Sequence, residues 1–217
     1  MKIEYQETSN DLMTRIDIHN QYGKDIDPWM LDLLKPAKGS KILDVGCGAG
    51  KLCFSFNKYL NSDCEITGGD FNQELLEKAR AENTRQGTDI RFIELDFNKR
   101  FPFEDNQFDL VSCSFAIYYA EDIPFTISEL HRVTKPGGRL FTTGPMPTNK
   151  QVFYDIIKEA TGLPIPPMPG SSRYASAILD SMKKYFSDVK VDVFENPLVF
   201  ETAEPFLAYT QIGRAHV

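Results

Sequence analysis

The stretch 41-KILDVGCGAGKL-52 decides the fold. An apolar run of strand length leads into Asp44-Val45-Gly46-Cys47-Gly48-Ala49-Gly50, and helical spacing begins directly after it. A strand that turns through glycines into a helix opens a βαβ unit. Glycine lets the chain turn tightly and lets a ligand approach where a Cβ would clash. The helix that follows offers unpaired N–H groups at its start.

The same texture continues outward. Strand-like runs recur at 64–70, 90–96, 108–115 and 138–144, separated by amphipathic helical stretches at 51–60, 73–87 and 124–134. This alternation predicts an α/β fold: a Rossmann-like, doubly wound, mostly parallel sheet with helices on both faces. Right-handed crossovers then put the ligand cleft at the carboxyl ends of the strands. Upstream, residues 10–35 carry helical spacing with a break around Gly23. Downstream, helices are expected at 149–161 and 174–186, a strand at 189–195 and the start of a helix at 203–211. The proline-rich segment 163–173, LPIPPMPGSSR, is expected to be irregular and to line the substrate side of the cleft.

Asp70 ends the second strand, twenty positions after Gly50. An acid there can accept two hydrogen bonds from ribose hydroxyls. It could instead serve as a loop acid or helix cap, although Asn72 is the better placed cap for 73–87. A dinucleotide loop of the form G-x-G-x-x-G would need glycine at position 51, which is Lys51. A carboxylate in the loop, Asp44, would also repel a pyrophosphate. A zwitterionic ligand without phosphates suffers no such penalty.

Composition sets wider bounds. The 217 residues are 41% hydrophobic and 25% charged, with a formal net charge of −7. That is the make-up of an ordinary globular domain, and it argues against a protein built to coat nucleic acid. Cys47, Cys53, Cys64 and Cys113 form no C-x-x-C pair and no zinc-spaced cluster, so no metal is expected. The N-terminus lacks a signal-peptide run, and no segment reaches the ~20 apolar residues of a membrane helix. The expected location is cytoplasmic, with no membrane partner.

Residues 40–145 resemble the class I S-adenosylmethionine-dependent methyltransferases of the small-molecule type. ILDVGCGAGKL is similar to that family's first motif and ITGGDFNQELLEKAR to its second. IELDFNKRFPFEDNQFDLVSCSFAIYYAED and ISELHRVTKPGGRLF resemble the two that follow. The resemblance implies that Asp44, Gly46, Cys47, Gly48 and Gly50 hold the methionine part of the cofactor. It further implies that Asp70 binds the ribose with Phe71 against the adenine, that Asp96 and the backbone of Phe97 meet the adenine, and that Ser114 lines the methionine end. The family's sheet has seven strands, the last antiparallel; only six are counted here, so that last strand is expected to be missing through C-terminal truncation.

Domain boundaries follow: 1–38 as a helical lid, 39–211 as the S-adenosylmethionine-binding methyltransferase domain, and 212–217 as a non-native tail. Ile212-Gly213-Arg214-Ala215-His216-Val217 matches a translated sequencing adapter. The implied activity is methyl transfer to a small-molecule or carrier-bound acceptor by in-line displacement. A cofactor-binding protein without catalysis is the alternative, and a nicotinamide oxidoreductase a more distant one. The sulfonium is already activated, so the protein's tasks are alignment and exclusion of water. His19 is the candidate base, with Tyr22 and Arg15 beside it in the lid. His131 reads as structural. Tyr118 and Tyr119 are candidates for the substrate pocket, through ring faces toward the sulfonium or as core aromatics. The N-P-P-Y type of base-methylating motif is absent, the segment being Ser112-Cys113-Ser114-Phe115. The acceptor and the oligomeric state are not encoded in any motif.

Overall fold

In the computed structural model, residues 9–149, 151–162 and 174–212 are described. They divide into two compact units, one of residues 36–189 and a smaller one joining 1–35 to 190–217.

The larger unit is built on a five-stranded sheet of order β3-β2-β1-β4-β5, with β1 at Ser40–Val45, β2 at Cys64–Asp70, β3 at Arg91–Glu94, β4 at Phe108–Ser114 and β5 at Thr134–Thr143. Every neighbouring pair is parallel. The order steps outward from β1 through β2 to β3, then restarts on the other side with β4. Right-handed crossovers therefore send the helices after β1 and β2 to one face and the helix between β4 and β5 to the other. These are α3 (Lys51–Tyr59), α4 (Gln73–Gln86) and α5 (Ile123–Val133).

Strand alternation matches that division. Leu43, Val45, Val111 and Cys113 pack in one core with Ile123, Ile127, Leu130 and Val133 of α5. Asp44 and Ser112, one position out of phase, meet Cys53 of α3 on the opposite face. Each buried Leu, Ile or Val contributes roughly 1.5–3 kcal/mol. Local signals end the helices. The Asn72 side chain accepts from the Leu75 N–H, as its position predicts, and Gly87 closes α4 at φ +65°. Asp122 caps α5 in the same way.

Two strands depart most from expectation. β5 starts at Thr134 rather than 138, because Thr134 pairs with Phe108 before the ladder resumes at Leu110 and Arg139. Lys135–Gly138 bulges out between those pairs, with Gly137 at φ +77°. The strand predicted at 189–195 does not form, and residues 186–200 carry no ladder. Alternating valines supply the period of a strand, but period alone makes no ladder; Val191 and Val193 stay 65% and 58% exposed. Beyond α6 (Gln151–Thr161), a π-helical turn at Tyr174–Ile178 leads into α7 (Leu179–Tyr185). The segment 163–173 and the tail residues 213–217 lie outside the described residues.

In the smaller unit, α1 (Ser9–Tyr22) and α2 (Asp27–Leu34) flank the break at Gly23, and α8 covers Ala203–Ile212. The Val199 N–H donates to the Tyr22 carbonyl at 3.1 Å, and the Asn196 side chain bridges both backbone groups of Lys24.

Candidate functional site

The site is built at the carboxyl ends of β1, β2 and β4, where the strand order reverses. The glycine loop leaves β1 and bonds almost wholly to its own protein. The Gly46 and Cys47 N–H groups donate to the Gly69 carbonyl at 2.7 and 3.1 Å, and Gly50 N–H donates to the Cys47 carbonyl at 2.9 Å. Gly48 N–H donates to Asp70 Oδ2 at 2.8 Å. Four loop amides are thus committed before any ligand arrives. Gly46, at φ +72°, is required by close approach: a Cβ there would fall 2.4 Å from the Ala116 Cβ. At Gly50, by contrast, a Cβ would meet the rings of Phe92 and Phe54, so the third glycine serves helix packing.

Beneath the loop, Asp44 is 2% exposed. Its Oδ1 accepts from Ser112 Oγ at 2.6 Å and its Oδ2 from the Cys53 thiol at 3.6 Å. The carboxylate therefore ties β1 to β4 and α3 under the loop. The Cys53 thiol is raised well above its ordinary pKa by its hydrogen bond with Cys47, burial and the Asp44 charge. The Cys47 thiol is raised as well, burial and Asp44 outweighing its bond with Cys53. Both thiols are protonated and unreactive near neutrality.

Asp70 closes β2. Oδ2 accepts from Gly48 and Oδ1 from the Asn72 N–H at 2.9 Å, so the carboxylate is fixed and keeps acceptor capacity on both oxygens. Burial raises its pKa, opposed by the amides of Asn72, Gly48 and Phe71. Phe71, next in the chain, is exposed. Asp96 forms a local turn, Oδ1 accepting from Asn98 N–H at 3.0 Å and Oδ2 facing Lys99 Nζ at 3.0 Å. Its pKa is lowered, those bonds outweighing desolvation. Phe97 is buried in the α5 core, its carbonyl accepting from Thr126 Oγ1 at 3.1 Å.

Ser114 is the last residue of β4. Phe115 follows at φ +54° and 46% exposure, its N–H donating to the Thr143 carbonyl at 3.0 Å. A bulky residue in the left-handed region is uncommon and marks a constrained position. Nothing in the sequence pattern pointed to Phe115 beyond its place after a strand at the reversal. Ile117–Tyr119 is a 3₁₀ turn in which Tyr118 is buried, Tyr119 is half-buried, and the two rings lie 4.5 Å apart.

The structure thus brings Asp44, Gly46, Cys47, Gly48, Gly50, Asp70 and Ser114 to one end of the sheet. His19 and Tyr22 belong to the smaller unit. There, His19 Nε2 lies 3.3 Å from the Tyr209 hydroxyl and Tyr22 packs on Phe200 at 4.9 Å. His131 packs against the rings of Tyr185 and Phe186 in the larger unit.

Residues 36–164 match the model of a methyltransferase domain. The chain belongs to the methyltransferase-domain family. That match begins where the larger unit begins, and it confirms the class I resemblance; S-adenosylmethionine is the cofactor of this class. The methyltransferase domain is 37% identical over 119 residues to a demethylmenaquinone methyltransferase of Staphylococcus haemolyticus, covering 53% of this chain and 49% of that one. The corresponding Staphylococcus aureus protein is likewise 37% identical, over 120 residues. The chain spans about half the length of these curated relatives. A SAM-dependent methyltransferase of Aquifex aeolicus shares the fold, with a TM-score of 0.51, 20% identity and coverage of 68% of this chain and 87% of that one. Among the described residues no group of three or more His, Cys, Asp or Glu could hold a metal, and no helix is long and apolar enough to cross a membrane.

Proposed function

We propose that this chain transfers a methyl group from S-adenosylmethionine to a small-molecule acceptor. The observation that carries the reading is the Asp70 carboxylate, fixed by Gly48 and Asn72 at the end of β2 with lone pairs left on both oxygens. That geometry suits a vicinal diol, and the Asp44 carboxylate beneath the glycine loop suits a ligand without phosphates. The residues present fit the cofactor on both counts.

When bound, the cofactor supplies an activated methyl on sulfur. The chain's own residues have less to do. Asp70 holds the ribose, Phe71 and Asp96 flank the adenine, and the loop from Gly46 to Gly50 carries the methionine end toward Ser114. The sheet end then fixes the direction from which an acceptor approaches, and alignment provides the acceleration. The curated relatives are named for demethylmenaquinone, so a quinone precursor is the first acceptor to assay.

Calorimetric titration with S-adenosylhomocysteine, beside NADH, tests the cofactor. Tight binding that Asp70→Asn weakens by tenfold or more, with no NADH signal, supports the reading. NADH binding would overturn it. Affinity should also fall with decreasing pH through a midpoint above the ordinary aspartate value, since burial raises the Asp70 pKa and only the ionised form accepts both hydroxyls. Asp70→Asn should remove that dependence.

A further inference from the structure

Among the described residues, three buried hydroxyl oxygens have no hydrogen-bond partner: Ser114 Oγ, Thr142 Oγ1 and Thr143 Oγ1. Buried hydroxyls almost always find a partner, and leaving one without costs about 1–3 kcal/mol. Two of the three stand together. Ser114 and Thr143 are register partners on adjacent parallel strands, each at the last position of its strand. Strands lie about 4.8 Å apart, and paired residues point to the same face. Thr143 is only 9% exposed. Thr142 alternates to the other face, where its register partner Cys113 sits in the apolar core.

The pair's place in the sheet says what it could meet. Asp70 and Asp96 lie toward β2 and β3, on one side of β1; Ser114 and Thr143 lie on the other, at β4 and β5. A ligand anchored by its ribose at Asp70 runs from β2 across β1, which leaves the β4–β5 end for the acceptor. The chain around the pair is uncharged. Phe115 follows Ser114, and Gly144, Pro145 and Met146 follow Thr143; Phe115 and Met146 are both exposed. An ionic acceptor would find no counter-charge in these segments, whereas a flat apolar molecule bearing an oxygen would find both ring contacts and hydrogen bonds.

We infer that Ser114 and Thr143 form a recognition pair for a neutral, oxygen-bearing aromatic acceptor, each hydroxyl able to donate to a carbonyl or accept from a phenol. This rests on the methyltransferase reading above. Thr143 acts as a specificity residue: it selects the acceptor and leaves cofactor binding alone.

The test uses Thr143→Val, which keeps the shape and removes the hydroxyl, and Thr143→Ser, which keeps the hydroxyl. Three quantities are measured on the full chain: the melting temperature without ligand, S-adenosylhomocysteine affinity, and the affinity of its complex for 1-naphthol against naphthalene. Thr143→Val should melt no lower than wild type, bind S-adenosylhomocysteine within twofold, and lose about tenfold in 1-naphthol affinity with naphthalene unchanged. Thr143→Ser should stay within threefold of wild type for 1-naphthol. A lower melting temperature for Thr143→Val would show that the fold already satisfies the hydroxyl, and would overturn the inference. So would weakened S-adenosylhomocysteine binding, which would assign Thr143 to the cofactor, or a wild-type complex that does not prefer 1-naphthol. Failure of wild type to bind S-adenosylhomocysteine at all is a different result and overturns the methyltransferase reading itself.

Discussion

Gly46→Ala tests the packing of the cofactor loop on the chain after β4. The backbone sits at φ +72°, where an L residue costs about 1–2 kcal/mol. The new Cβ would lie 2.4 Å from that of Ala116, a buried residue, and overpacking of this kind costs about 1–3 kcal/mol. Gly46→Ala should therefore destabilise by roughly 2–5 kcal/mol. Ala116→Gly alone should cost about 1.5 kcal/mol, from one lost methyl and a freer unfolded chain. Combined, the two remove the clash but keep the φ strain, so the double variant should lose only about 2.5–3.5 kcal/mol. The coupling between the sites is then about 1–3 kcal/mol, read from urea melts of the four proteins. Additivity within about 0.5 kcal/mol would show that Ala116 does not confine Gly46, and would refute the close approach as the reason for glycine there.

Gly48→Ala, at φ +54° with its nearest neighbour 3.9 Å away, should cost only the conformational ~1–2 kcal/mol in the same melts. Ser112→Ala takes the donor at 2.6 Å from buried Asp44 and should cost about 1.5–3 kcal/mol, measured the same way. Arg132 binds Glu129 through two nitrogens and also the carbonyls of Phe101 and Phe103. Arg132→Met should therefore lose about 3–5 kcal/mol by leaving a buried carboxylate unpaired. Arg132 also holds Glu129 below the ordinary glutamate range, so this contribution is present above the unfolded value of 4.5 and is lost as pH falls through the depressed folded value. Melts from pH 7 to 3 should show a smaller acid loss for Glu129→Gln.

Local signals carried most of the sheet. The strand-to-glycine transition at 41–50, the Asn72 cap and the Gly87 stop each act within a few residues, so sequence spacing reads them directly. The place of Asp70 at the end of β2 was legible from its chain distance to the loop. The place of Thr143 beside Ser114 was not, since it depends on register, and register is a property of two strands rather than one. The predicted strand at 189–195 failed for the same reason: VKVDVFE has the period, but a ladder needs a second strand in register with it. Ser112 was read only as part of a segment that lacks the N-P-P-Y motif, although its hydroxyl supports the loop from an adjacent strand.

The internal bonding of the glycine loop bears on turnover. Amides already tied to Gly69, Cys47 and Asp70 do not have to be ordered on binding, so this part of the loop is formed before the cofactor arrives. On the proposed reading, the groups it grips belong equally to the fresh cofactor and to its demethylated remnant. Spent cofactor would then compete with fresh on nearly equal terms. The rate in a cell would follow the ratio of the two, making whatever reaction clears the remnant a partner in the control of this one.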